Sequence, residues 1–200
     1  MSQNILYDAL KIFHSLSNIK YNIVLGKNKN TISLNIEFLL DNFYHLVGLH
    51  KLIKSYNFQK LPHKEVLNLI LSQKITIDTI KSDPAFQIIL PRIKIILDIE
   101  QMLKDSNTLF FKFNYRRIRI NSKIKADYLA KGKVGDKTVA FAFMVNDNNR
   151  FIINSVFPIS NYDYTKNQTH YTTLIIQKIY IDNGQIETIF VSPKYKKDRK

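Results

Sequence analysis

Residues 137–159 read KTVAFAFMVNDNNRFIINSVFPI, two runs rich in Val, Ile, Phe and Ala separated by the polar segment Asn146 to Asn149. Apolar runs of this length bounded by turn residues are a β-strand signature, and so short a connection predicts that the two strands pair antiparallel. The same reading extends in both directions. TLFFKFN (108–114) and IKADYLAKGKV (124–134) come before, TTLIIQKIYI (172–181) and IETIFVS (186–192) come after, with breaks at Gly135-Asp136 and Asn183-Gly184. The stretch from about 108 to 191 is therefore expected to form an antiparallel meander.

The first half has a different period. Ile5, Leu6, Leu10, Phe13 and Leu16 recur at helical spacing and predict an amphipathic helix over about 3–18. YNIVLGKNKNTISLNIEF (21–38) reads as a β-hairpin around a basic turn from Gly26 to Asn30. DNFYHLVGLHKL (41–52) gathers Phe43, Leu46, Val47 and Leu49 on one side and predicts a helix from about 40 to 54. HKEVLNLILSQ (63–73) predicts a shorter helix, and Ser82-Asp83-Pro84 opens another that runs to about Lys104 with a kink or break at Pro91. The expected fold class is α+β: an antiparallel sheet, mainly C-terminal, packed against N-terminal helices that include 40–54.

Composition narrows the function. The chain has 200 residues, 45% of them apolar, and no cysteine, which leaves no disulfide framework. Thirty Lys and Arg against 16 Asp and Glu give a formal charge of +14, which favours a polyanionic partner. The opening MSQNILYDALKIFHSL lacks an uninterrupted apolar run, so neither a leader nor a membrane span is expected there. Nucleic acid is the expected partner, no membrane association is expected, and the expected localisation is cytoplasmic.

Three clusters carry the chemistry. In 41–52, His50 falls among the apolar residues, whereas His45 lies roughly 140° round an ideal helix, so only one ring is expected to reach a given site. Gly48 in mid-helix predicts a close approach to the backbone. The spacing His-x4-His is not the i, i+4 pair of a metal site, so neither a metal nor any other cofactor is expected. In RRIRINSKIK (116–125), Arg117, Arg119, Asn121, Lys123 and Lys125 alternate with Ile118, Ile120, Ser122 and Ile124, which predicts a strand with one cationic face for phosphates. Between Ser160 and Leu174, Tyr162, Tyr164, Thr165, Lys166 and Gln168 combine rings that can stack on unpaired bases with groups that can meet phosphate.

VLGKNKNTISLNIEF (24–38), NFYHLVGLHKL (42–52), Ser82, Arg92, IKADYL (124–129) and DYTKNQTHYTTLI (163–175) together resemble a phage-associated family of the barnase, EndoU, colicin and RelE-like (BECR) ribonuclease fold. The resemblance covers about residues 20 to 182. It implies a nuclease domain over 20–192, after an N-terminal helix (1–19) and before a basic tail (193–200). It also implies a metal-independent, toxin-like endoribonuclease that cleaves RNA through 2′-hydroxyl attack, with an antitoxin or immunity protein as a second partner. Within the matched blocks, the resemblance points to His50, Lys51, Arg92, Tyr164, Thr165 and Lys166 as catalytic residues and to Lys125 and Gln168 as RNA contacts, which Arg117, Arg119, Lys123 and Tyr162 join from the reading of the residues. No glutamate base of the barnase kind is visible. A basic RNA-binding or inhibitory module without catalysis is the alternative reading.

Overall fold

The computed structural model describes residues 4–53, 60–120, 122–160, 162–193 and Tyr195. Of the expected basic tail, residue 194 and residues 196–200 lie outside the described residues, as does Asn121. The N-terminal helix is α1 (Ile5–Leu16), followed by the hairpin β1 (Ile19–Lys27) and β2 (Asn30–Glu37). Both residues of its turn, Asn28 and Lys29, have positive φ, as a two-residue hairpin matched to strand twist requires. Four helices come next: α2 (Phe43–Leu46), α3 (His63–Leu71), α4 (Ile77–Ile80) and α5 (Phe86–Lys104). The second half supplies β3 (Leu109–Lys112), β4 (Tyr128–Val134), β5 (Thr138–Asp147), β6 (Arg150–Pro158), β7 (Thr169–Tyr180) and β8 (Ile186–Val191). Asn148 and Asn149 make the β5–β6 turn, again at positive φ.

The strands do not form the expected antiparallel sheet laid on helices. They run in the order β1-β2-β6-β5-β4-β3-β7, and β7 pairs with β1 to close a seven-stranded barrel, with β8 added outside the ring on β7. The barrel is mixed, because β2 and β6 are parallel through Ile36↔Phe151 and Glu37↔Ile152. The physical reason for the difference is β1. Every residue from Lys20 to Gly26 is paired on both sides, with β2 and with the distant β7, so the N-terminal hairpin is part of the ring rather than a satellite of the helices. The alternation of Tyr21, Ile23 and Leu25 marks a buried face but names no partner strand.

The two faces of the central strands go to different places. Ala140, Ala142 and Met144 join the large core with Leu6, Leu10 and Phe13 of α1 and Ile89, Ile93 and Ile96 of α5. Phe141 and Phe143 point the other way and form a second, aromatic core with Phe111, Phe113 and Leu129. Phe157, Tyr164, Ile118 and Ile124 lie over that cluster and are held on this aromatic floor.

Three local expectations are also corrected. The segment 40–54 is not one helix: a 3-10 turn (Leu40–Asn42) leads into α2, Gly48 takes a left-handed φ of 85°, and a second 3-10 turn (Leu49–Lys51) leaves in a new direction, with position 54 outside the described residues. Of the kink or break expected at Pro91, the break does not occur, because α5 runs from Phe86 to Lys104. Finally, 116–125 is not a strand. After a 3-10 turn (Tyr115–Arg117), the described residues form an irregular strap held by single bonds, from Arg119 N–H to Tyr162 Oη (2.9 Å) and from Asn154 Nδ2 to Lys125 O (2.8 Å). Ile118 and Ile124 do face inward as the alternation suggests, but a ladder does not organise the backbone.

Glu100 ties α5 to the barrel. Its Oε1 accepts from Tyr21 Oη at 2.6 Å, Lys178 Nζ at 2.8 Å and Lys104 Nζ at 2.8 Å. Loss of water raises its pKa, but the hydrogen bonds from Lys104, Lys178 and Tyr21 outweigh this and leave it at about 2. The folded value lies below the unfolded one, so the contribution is present above the ordinary carboxylate range and is lost as pH falls toward 2. Glu100→Gln should cost about 2 kcal/mol at neutral pH, or roughly 4–8 °C in Tm for a chain of this size. It should also flatten the decline in stability below pH 4.5. Melting curves from pH 7 to pH 3 check both, and identical acid limbs in the two proteins would contradict the assignment.

Candidate active site

Gly48 sets the geometry of the site. Its left-handed conformation ends α2, and the backbone turns so that His50 comes back beside His45, with ring centroids 5.0 Å apart. On a continuous helix the two rings would diverge, so the expectation that only one reaches the site is overturned. His63, at the start of α3, lies 4.7 Å from His45 and stacks on Tyr44 at 4.5 Å. A Cβ at position 48 would stand 3.3 Å from Arg92 Cδ, so the close approach expected at this glycine is real, and its partner is an arginine.

Arg92 reaches the site from α5. It is 9% exposed, its Nη1 donates to Leu46 O at a long 3.5 Å, and its guanidinium carbon lies 5.7 Å from the centre of the Phe157 ring. Its Nε is buried without a hydrogen-bond partner, and among the described residues no carboxylate pairs with it.

These groups open onto a cavity of about 790 Å³. One wall is His45, His50, Lys51 and Arg92; the strap supplies Ile120 and Ser122 to Lys125. The floor is Asn154, Ser155 and Phe157 of β6, and the far wall is Ser160, Tyr162 and Tyr164. Of the residues singled out from sequence, the cleft therefore gathers His50, Lys51, Arg92, Lys123, Lys125, Tyr162 and Tyr164. The others stand elsewhere. Thr165 donates from its hydroxyl to Asp163 Oδ1 at 2.6 Å, inside a turn that Lys131 anchors through Asp163 at 2.9 Å. Gln168 bonds the Asn114 backbone through both ends of its amide, at 2.8 and 3.2 Å. Arg117 donates to Asn167 O at 3.1 Å. Arg119 and Lys166 line a separate hollow of about 400 Å³ that shares Tyr162 with the cleft.

Sequence reasoning missed His45, Ser122, Asn154, Ser155 and Ser160. Gly48 was the signal for His45: a glycine that ends a helix changes the angular bookkeeping for everything after it. No sequence signal marked Asn154, whose Nδ2 fastens the strap to β6.

Among the described residues that line the cleft there is no Asp or Glu. Loss of water, then His45, Lys51, Arg92 and His63, push His50 down to about 4. Desolvation and then His63 lower His45, and desolvation and then Arg92 lower Lys51. Both histidines are exposed at the surface, so partial burial on their concave side and then the positive neighbours there act together to lower them. At neutral pH the site thus presents imidazole lone pairs next to fixed positive charge. A bound phosphate would compensate that charge, and the lone pairs can take a proton from a hydroxyl held beside it. Among the described residues, no three His, Asp or Glu side chains are grouped so as to hold a metal ion.

The family model that matches residues 5–192 is described as phage-Barnase-EndoU-ColicinE5/D-RelE like nuclease4. No curated protein and no solved structure matches the chain.

The electrostatics are directly measurable. In an NMR titration His50 should titrate near pH 4 in the free protein, and its midpoint should rise when inorganic phosphate is added. Replacing Arg92 by Gln should also raise it, because a positive neighbour is removed. A His50 midpoint near 6.5 that phosphate does not move would contradict the site described.

Proposed function

The chain belongs to the phage-Barnase-EndoU-Colicin-RelE like nucleases, which implies a nucleic-acid substrate, and we propose that it is a metal-independent endoribonuclease that cleaves RNA by attack of the ribose 2′-hydroxyl. The observation that carries this reading is the cleft itself: two histidines with lowered pKa stand among lysines and a buried arginine, and no lining carboxylate offsets the charge.

In the proposed reaction His50 takes the proton of the 2′-hydroxyl. The 2′-oxygen attacks the adjacent phosphorus, and the bond from phosphorus to the 5′-oxygen of the next nucleotide breaks. Arg92 and Lys125 hold the non-bridging oxygens as charge builds on the phosphorane. Lys51, whose lowered pKa makes it a better acid than an ordinary lysine, gives its proton to the leaving 5′-oxygen. The products are a 2′,3′-cyclic phosphate and a 5′-hydroxyl. Tyr162 and Tyr164 flank the bound nucleotide. Thr165 shapes the turn behind them, and Lys166, Arg119, Arg117 and Gln168 act on flanking RNA or on the frame that carries the walls. A sugar without the 2′-hydroxyl has no nucleophile, which restricts the substrate to RNA.

Such activity harms the cell that holds it, which supports a toxin-like role in phage and host conflict, in the cytoplasm where RNA is abundant. A neutralising antitoxin or immunity protein would answer the cationic cleft with carboxylates. Among the described residues no helix is long and apolar enough to cross a membrane.

His50→Ala should lower cleavage of a short RNA by roughly 100-fold or more while RNA affinity stays within a few-fold. A single 2′-deoxy substitution at the cleaved position should abolish the reaction, and EDTA should not. kcat/KM should rise with pH through about 4 as free His50 loses its proton, and the corresponding midpoint in kcat should lie higher, because bound phosphate stabilises the imidazolium. Full activity in a folded His50→Ala protein, or equal cleavage of DNA, would overturn the scheme.

A further inference from the structure

The strap separates the cleft from a second cavity of about 550 Å³, and the two share Ser122, Lys123, Ile124 and Lys125. The rest of the second cavity differs in character. Ala126 and Val145 give it apolar surface, Tyr115 stands at its side with 60% of its surface exposed, and Asp127 contributes a carboxylate. The frame is fixed in advance. Asp127 N–H donates to Met144 O, Phe113 N–H donates to Asp127 O, and Asp127 Oδ2 accepts from Asn146 N–H, all at 2.8 Å. Tyr115 is steadied by Arg116, whose Nε donates to the phenol oxygen at 3.3 Å.

We propose that this second cavity binds the unpaired base of a nucleotide flanking the one that is cut, stacked on Tyr115. The inference rests on the reading of the cleft as an RNA site, and it adds that the substrate is a single strand engaged beyond the scissile step. The lining decides what enters. Lys123 and Lys125 border the cleft and suit phosphate, whereas the Tyr115 ring, the apolar surface of Ile124 and Val145 and the Asp127 carboxylate suit a base, with its flat apolar face and its N–H groups. The phosphate that links the flanking nucleotide to the one in the cleft falls to Lys123, which borders both cavities. A duplex keeps its bases paired and cannot place one here.

The test uses the whole chain and uncleavable RNAs that carry a 2′-deoxy sugar at the cut position, so that binding is read apart from chemistry. A tetranucleotide should bind roughly 10-fold more tightly than the dinucleotide that fills the cleft, the scale of one base stacked on an aromatic ring. 2-Aminopurine at one flanking position should be quenched on binding. Tyr115→Ala should collapse the ratio of the two affinities toward one and remove the quenching, and Tyr115→Phe should retain both, with melting curves showing all three proteins folded. A retained ratio or retained quenching in folded Tyr115→Ala overturns the subsite, as does a wild-type protein that cleaves RNA without preferring the longer strand. Length-dependent quenching in a protein that cleaves nothing supports the subsite and defeats only the catalytic reading.

Discussion

The site depends on a buried positive charge, on Arg92, that no carboxylate among the described residues neutralises. Burying a guanidinium without a carboxylate is costly, and a fold tolerates it only where other groups recover part of the lost hydration. Around Arg92 these are the Leu46 carbonyl, left free because Gly48 stops α2, and the face of Phe157. The recovery is partial, since Nε has no partner. Arg92 adds to the desolvation that chiefly lowers His50 and Lys51, and an anion in the cleft would relieve that imbalance. The unfavourable term in the free protein would thus become the source of affinity for the proposed substrate.

The chain's few carboxylates show the same division of labour. Glu100 holds three donors between α5 and the barrel, and Asp163 holds Lys131 and the turn next to Tyr162 and Tyr164. Asp147 pairs with Arg150, and Asp83 accepts the N–H groups of Ile53 and Ala85. Each of these secures a piece of frame that carries the cleft, and none lines it. A chain with a formal charge of +14 can therefore leave its cleft cationic without leaving its frame unpaired.

How much of this was legible depended on distance along the chain. All six C-terminal strands and the N-terminal hairpin were readable, because Asn148-Asn149 and Asn28-Lys29 are local turn signals between alternating apolar runs. Closure of the barrel was not, because it depends on β1 meeting β7 and on two parallel pairs between β2 and β6, and neither contact leaves a periodic trace. The strap looked like a strand because its alternation is real, with Ile118 and Ile124 facing the aromatic core, but alternation reports only which residues face inward. For the cleft, the helical pattern singled out His50, whereas Lys51 and Arg92 came with the family resemblance. The pattern could not find His45, since a wheel drawn through Gly48 assumes a helix that the left-handed glycine ends.

The same charge balance suits the proposed histidine base better than a glutamate. A carboxylate placed between Arg92 and Lys51 would pair with them, its pKa would fall, and it would become a weaker base while removing the positive charge that a phosphorane needs. A neutral imidazole offers a lone pair and leaves the cations unpaired until the phosphate arrives. Desolvation and then the cationic surroundings keep His50 deprotonated before substrate binds, and a bound phosphate would offset those charges, so that they oppose its protonation less. The proposed base is thus matched to a cleft without carboxylates, where the substrate itself supplies the missing negative charge.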